Sequence, residues 1–176
     1  MAPLILTLTI EAEAQTYFNQ LRQQYFPPER NFLDAHLTLF HHLPPAHPGI
    51  IPTIQALCAA QPRMQLLAAK MVNIGKGVAI KIVCPPLQSL HGRMRKLWLE
   101  LLTPQDRQGI WPHITIQNKV APQQAAALLQ QLAPTFSSFH FWGTGLTLWE
   151  YRGGPWHQLQ QFAFTGEEMA QNSWAT

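Results

Sequence analysis

The chain has 176 residues, 47% of them hydrophobic, with 6 Trp and 9 Phe, which is the size and composition of one compact domain with a real core. Lys and Arg outnumber Asp and Glu by 12 to 9, a balance that suits an anionic ligand but excludes the dense basic blocks of dedicated nucleic-acid binders. Cys58 and Cys84 stand alone in apolar stretches, which excludes a disulfide framework or a CxxC metal or redox motif and fits a reducing cytoplasm. No run approaches the ~18 consecutive apolar residues of a membrane span, and the amino terminus lacks the basic region of a signal peptide.

Leu4, Leu6, Leu8 and Ile10 alternate with Ile5, Thr7 and Thr9, the period-2 pattern of a strand with one apolar face. From Ala12 to about Phe26 the period becomes helical, and Pro27-Pro28 ends the run. A loop leads to a strand over about 35 to 43 that carries His36-Leu37-Thr38-Leu39, and a helix follows over about 50 to 60. After a strand near 64 to 72 and a Gly75-Lys76-Gly77 turn, the same order starts again. A strand at 78 to 84 places Lys81 where the first strand has Thr7, and an amphipathic helix spans 86 to 103. A strand over 111 to 119 carries His113-Ile114-Thr115-Ile116, and a helix runs from Pro122 to Leu132. A hairpin then pairs 138 to 151 with 155 to 165 across Arg152-Gly153-Gly154, and a tail from Gly166 reads as loosely held.

The two His-x-Thr motifs lie 77 residues apart (113 − 36) at matching points of a repeated strand, helix, motif strand, helix order. This reads as an internal duplication within one domain, 1–176, with halves of roughly 3–75 and 76–138 plus the hairpin at 138–165. In a strand, residues i and i+2 share a face, so each motif presents an imidazole beside a hydroxyl. Histidine takes both protonation states near neutrality, so two facing imidazoles divide into a general base and a general acid. With two threonine hydroxyls donating to phosphoryl oxygens, the set suits in-line opening of a strained 2′,3′-cyclic phosphate. No metal or other cofactor is needed, and nine scattered carboxylates offer no two-metal cluster.

Regular alternation would put Phe40 and His42 on the face of His36, and Gln117 and Lys119 on that of His113. Lys81 and Lys119 are candidates for orienting an anion or are solvated lysines; Arg152 is a weaker candidate. Trp149 and Tyr151 either stack on a nucleobase or pack the hairpin. His41, His47, His91, His140 and His157 have no partner pattern and read as surface or core residues, and His42 has no counterpart that would make it a metal ligand with His36.

The doubled motif, read here as HLTL at 36 to 39 and HITI at 113 to 116, resembles the 2H phosphoesterases, which include 2′-5′ RNA ligases and RNA 2′,3′-cyclic phosphodiesterases. Pro112 before the second motif and the VAIKIV strand leading into an amphipathic helix are also similar to that family. The resemblance implies an α+β, bilobal, pseudo-two-fold fold in which two antiparallel sheets form a central cleft and helices cover the outer faces. It implies that His36 and His113 are the catalytic pair, acid and base respectively for hydrolysis, that Thr38 and Thr115 hold the phosphate, and that RNA ends or cyclic nucleotides are the substrates. The oligomeric state is left open by the sequence, with a monomer as the expectation. The segment FHHLPPAHPGI after the first motif departs from the family's pattern, as does the lack of a basic residue directly after the second. The alternatives are a nucleotide- or RNA-binding module that keeps the cleft without turnover, and a phosphoesterase acting on an ADP-ribose-type ester.

Overall fold

The computed structural model describes residues 2–167. Its strands are β1 (Leu4–Ile10), β2 (Leu37–Leu43), β3 (Met64–Asn73), β4 (Val78–Val83), β5 (His113–Gln117), β6 (Phe139–Glu150) and β7 (His157–Ala163); its α-helices are α1 (Ala12–Tyr25), α2 (Ile50–Ala60), α3 (Pro85–Leu97) and α4 (Pro122–Leu132). The expected elements are present, with ends shifted by one to a few residues. The helix predicted through 103 stops at Leu97 and gives way to a single 3-10 turn at Leu99–Leu101.

One expectation is corrected. The two sheets are one antiparallel seven-stranded sheet, ordered β2-β1-β6-β3-β4-β5, with β7 also on β6. The long strand β6 joins them: residues 143 to 150 pair with β1 along one edge, while the other edge takes β3 at 139 to 143 and β7 at 145 to 150. Two glycines make this sharing possible. A Cβ on Gly145 would stand 2.3 Å from the Phe162 carbonyl oxygen, and one on Gly143 would press on Leu66, Met64 and Leu8. The tail is also better fixed at its start than expected: the Gly166 amide donates to the Gln61 carbonyl (3.0 Å). The rest of the tail, from residue 168, lies outside the described residues.

Leu4, Leu6 and Leu8 of β1, Leu66 of β3, Ile80 and Ile82 of β4 and Ile114 and Ile116 of β5 join Phe18 of α1, Ile54 of α2, Leu87 of α3 and Leu128 of α4 in one continuous core. The opposite sheet face carries the polar residues. Thr7 pairs with Thr38 and with Thr147, and Lys81 pairs with His113, so each pair shares that face. Helix α1 packs against β5, and α3 stacks its buried His91 on Phe40 of β2 (4.6 Å between ring centroids). Although β2 and β5 end the hydrogen-bonded order, they lie against each other. The sheet is therefore curled until its two motif-bearing edges meet.

Candidate active site

The two motif histidines are seated in the same way. His36 Nδ1–H donates to the carbonyl oxygen of Asp34 (2.7 Å), and His113 Nδ1–H to that of Trp111 (2.8 Å), in both cases two residues back along the chain. A carbonyl can only accept, so the bond places the proton of each neutral ring on Nδ1 and leaves Nε2 with its lone pair free. Each ring also rests on an indole: His36 on Trp156 (4.7 Å) and His113 on Trp111 (4.4 Å, nearly parallel).

The motifs meet crosswise. His36 and Thr115 line a cavity of about 300 Å³ together with Arg22, Arg30, Lys119, Tyr151 and Trp156. Thr38 and His113 line one of about 180 Å³ with His41, Asp106 and Trp111. A third cavity of about 310 Å³ opens on the other side of His36, walled by Thr7, Thr9, Gln15, Trp149, Trp156, Gln158 and Gln161. Burial is the main cause that lowers the pKa of His36 to about 4; the charge of Arg22 and electrostatic repulsion from the neighbouring His113 and His41 act the same way, against the Asp34 hydrogen bond. Burial also lowers His113, with His41 adding to it and the bond to Trp111 opposing it. Both imidazoles are thus neutral at pH 7 in the free protein.

The other expected residues divide. Lys81 lies directly across the β4–β5 ladder from His113. The hydrogen-bond register therefore aligns it with Thr9, which extends the β1–β2 pairing opposite His36, and not with Thr7. Lys119 reaches the cavity of His36 and Thr115 by a different route from the expected one: β5 ends at Gln117, and Lys119 takes a left-handed conformation (φ 64°). Such a backbone costs a side-chain-bearing residue about 1 kcal/mol. Gln117 does not keep the face of His113: Ala79 pairs with Thr115 but Val78 with Gln117, so β5 holds one extra residue there, and Gln117 sits beside the core residue Val78, buried, with its Oε1 unpartnered among the described residues. Trp149 faces the cleft beside His36 while its indole N–H donates to Thr7 Oγ1 (2.8 Å), so it is wall and packing at once. Tyr151 lines the neighbouring cavity on the far side of His36. Arg152 turns to the carboxylate of Glu150, and none of the three cavities includes it.

Phe40 and His42 do not share the face of His36. Thr38 pairs with Thr7, Phe40 with Leu6 and Leu43 with Leu4, so β2 holds one extra residue before Phe40 and another after it. These bulges rotate Phe40 into the core, against His91 and Trp98. His41 comes to the cleft in place of His42.

The most important residue that sequence reasoning passed over is Arg22. The residue is only 5% exposed. Nε donates to Asn31 Oδ1 (2.8 Å) and the Leu33 carbonyl (2.9 Å), Nη1 donates to the Thr115 carbonyl (3.1 Å), and the guanidinium lies 3.9 Å over the Phe26 ring. Arg22 therefore ties the loop that leads to His36 onto the strand of the second motif. Burial lowers its pKa to about 10, with Asp34 opposing, so it stays charged at neutrality. The signal was available: Ala14, Phe18 and Arg22 recur every four residues on the buried stripe of α1. Trp156, just past the glycine turn, had no such signal.

A family model described as the 2′-5′ RNA ligase superfamily matches residues 10–155, a span that includes both motifs. The chain belongs to the 2′-5′ RNA ligase superfamily. Membership makes it a phosphoesterase or RNA-ligase type of enzyme, in line with the 2H phosphoesterase resemblance of its motifs. No curated protein matches the chain. Among solved structures, TT0787 of Thermus thermophilus is similar at 16% identity and a TM-score of 0.64, over 94% of this chain and 100% of that one. E. coli LigT is similar at 20% identity over 93% of this chain and 98% of its own, with a TM-score of 0.59 for its complex with 3′-AMP and 0.56 for that with phosphate. These likenesses show a shared fold over nearly the whole chain. No helix among the described residues is long and apolar enough to cross a membrane. Among the same residues, no group of three or more His, Cys, Asp or Glu is arranged to hold a metal ion.

Proposed function

We propose that the protein is a metal-independent cyclic phosphodiesterase that opens 2′,3′-cyclic phosphates of RNA ends or nucleotides, and that can seal a 2′-5′ linkage when a 5′-hydroxyl replaces water as the attacking group and the 3′-oxygen leaves. The observation that carries this reading is the crosswise arrangement, in which each imidazole shares a cavity with the threonine of the other motif and carries a free Nε2. A phosphate at the junction receives hydroxyl donors from Thr38 and Thr115 and has one imidazole on each side. The solved LigT complexes with 3′-AMP and with phosphate agree with this ligand class.

The cavities favour one division of labour. The cavity of about 310 Å³ beside His36, with its two indoles and neutral amides, suits a nucleoside. The cavity beside His113, about 180 Å³, suits water and phosphoryl oxygens. His113 Nε2 then takes the proton of the attacking water, the new P–O bond forms as the opposite ester bond breaks, and His36 Nε2–H gives its proton to the departing ribose oxygen. Both rings are neutral in the free protein, but a bound phosphate anion favours the protonated form of either. Lys81, Lys119 and Arg22 add positive charge around the same anion.

The test is turnover of a 2′,3′-cyclic nucleotide and of a cyclic-ended oligonucleotide in excess chelator. Hydrolysis of at least one at an unchanged rate is expected. Loss of activity on chelation overturns the metal-free mechanism, and tight nucleotide binding without turnover replaces the enzyme by a binding module. The pH profile is a second check, since kcat/KM reports the free protein. The reaction needs one protonated and one neutral imidazole, and both pKa values are lowered, His36 to about 4. The profile should therefore be bell-shaped with its maximum below pH 6.5, the ordinary histidine value, and an alkaline optimum contradicts the assignment.

A further inference from the structure

The bulges of β2 do more than bury Phe40. They turn His41 into the cavity that holds Thr38 and His113, and re-aiming a side chain is a recurrent use of bulges beside active sites. A buried carboxylate secures the arrangement. Asp106, 3% exposed, accepts from the backbone N–H of His41 (3.0 Å) and of His42 (2.8 Å), and from His41 Nδ1–H (3.2 Å). Asp106 sits in the loop that leads to Trp111 and His113, so the tie joins the first motif strand to the approach of the second. Burial alone would raise the Asp106 pKa, but the bonds from the His41 ring and the two amides hold it below the ordinary value, so it is a carboxylate. With Nδ1 engaged, Nε2 is the free nitrogen of His41. The titratable groups around it are Asp106 and His113 in the cavity, and His36 near enough to feel its charge.

We propose that His41, turned into the cleft by the bulge and seated on Asp106, is a third imidazole of the site, donating from Nε2 to a non-bridging phosphoryl oxygen beside Thr38. The inference rests on the reading of the cleft as a phosphate site. An imidazolium backed by a carboxylate can donate from both nitrogens at once. Attack of water on a singly charged diester develops a second negative charge on the phosphoryl oxygens. His41 therefore contributes more to the transition state than to substrate binding. No part of the acid–base mechanism otherwise uses a buried carboxylate at this position.

The test uses the full chain with His41→Ala, His41→Gln and Asp106→Asn, and measures kcat and KM on a 2′,3′-cyclic nucleotide and, separately, the affinity for inorganic phosphate. His41→Ala is expected to lower kcat about 10- to 100-fold with KM changed less than about threefold, and to weaken phosphate binding about tenfold. His41→Gln, which keeps a neutral donor, should fall between wild type and His41→Ala in both, and Asp106→Asn should move both in the same direction. A His41→Ala protein with wild-type kcat and phosphate affinity overturns the inference and leaves the proposed function standing. If the wild type opens no cyclic phosphate, the proposed function fails, yet a tenfold loss of phosphate affinity in His41→Ala still supports the contact. If His41→Ala loses its fold, His41→Gln decides: reduced phosphate affinity supports the contact and wild-type affinity overturns it.

Discussion

Replacing His36 or His113 with alanine is expected to lower kcat on a 2′,3′-cyclic phosphate by about 10²- to 10⁴-fold, the range for loss of a positioned general acid or base. The double replacement should cost little more than the worse single one, because acid and base act in one displacement and their effects do not add. Neither ring holds the fold together: each makes one bond to a carbonyl of its own loop and rests on one indole. The thermal midpoints should therefore stay close to the wild-type value while turnover collapses. Steady-state kinetics beside a melting curve checks this, and a loss below about tenfold for either histidine removes it from the proton-transfer step.

Arg22→Leu is expected to destabilise the protein by about 3 kcal/mol or more. The substitution leaves Asn31 Oδ1 and the carbonyls of Leu33 and Thr115 without their donor, and an unsatisfied buried acceptor costs about 1 to 3 kcal/mol. The site should respond as well. The loop from Asn31 to Leu33 runs into His36, so losing its anchor loosens the first imidazole. Removing the guanidinium charge also takes away one of the influences that hold the His36 pKa down, so the acid limb of kcat/KM should move to higher pH. Arg22→Lys keeps the charge without the fork of donors, and should recover the pH profile better than the stability. Denaturant unfolding and a pH–rate profile of the two variants separate these effects, and an Arg22→Leu protein within about 0.5 kcal/mol of wild type contradicts the role of the tie.

Much of this architecture can be read from local pattern. Alternation in Leu4 to Ile10 and Val78 to Val83, helical spacing in α1 and α4, and the repeated order around two His-x-Thr motifs give the elements and the pair of imidazoles. What escapes is set by partners distant in sequence. That β6 joins β1 to β3 and β7 in one sheet depends on which strand reaches each of its edges, and Gly143 and Gly145 record the close approach without naming the neighbour. The side that Phe40, His41 and His42 face depends on two slips against β1, and Phe-His-His-Leu alternates equally well in either phase. Lys119 leaves the strand through a left-handed turn that a lysine does not advertise. Asp106 lies in a polar loop where nothing local marks it as the carboxylate that receives two amides of β2. Arg22 is the opposite case, since its place on the buried stripe of α1 was legible and only its charge argued otherwise.

The central claim is that His36 and His113 act on one phosphate. Histidine side-chain NMR during titration with inorganic phosphate tests this most directly. The account predicts that the Nε2 signals of both rings move together, with one shared dissociation constant, and that both move toward the protonated form. Movement of only one ring, or two separate affinities, would contradict it.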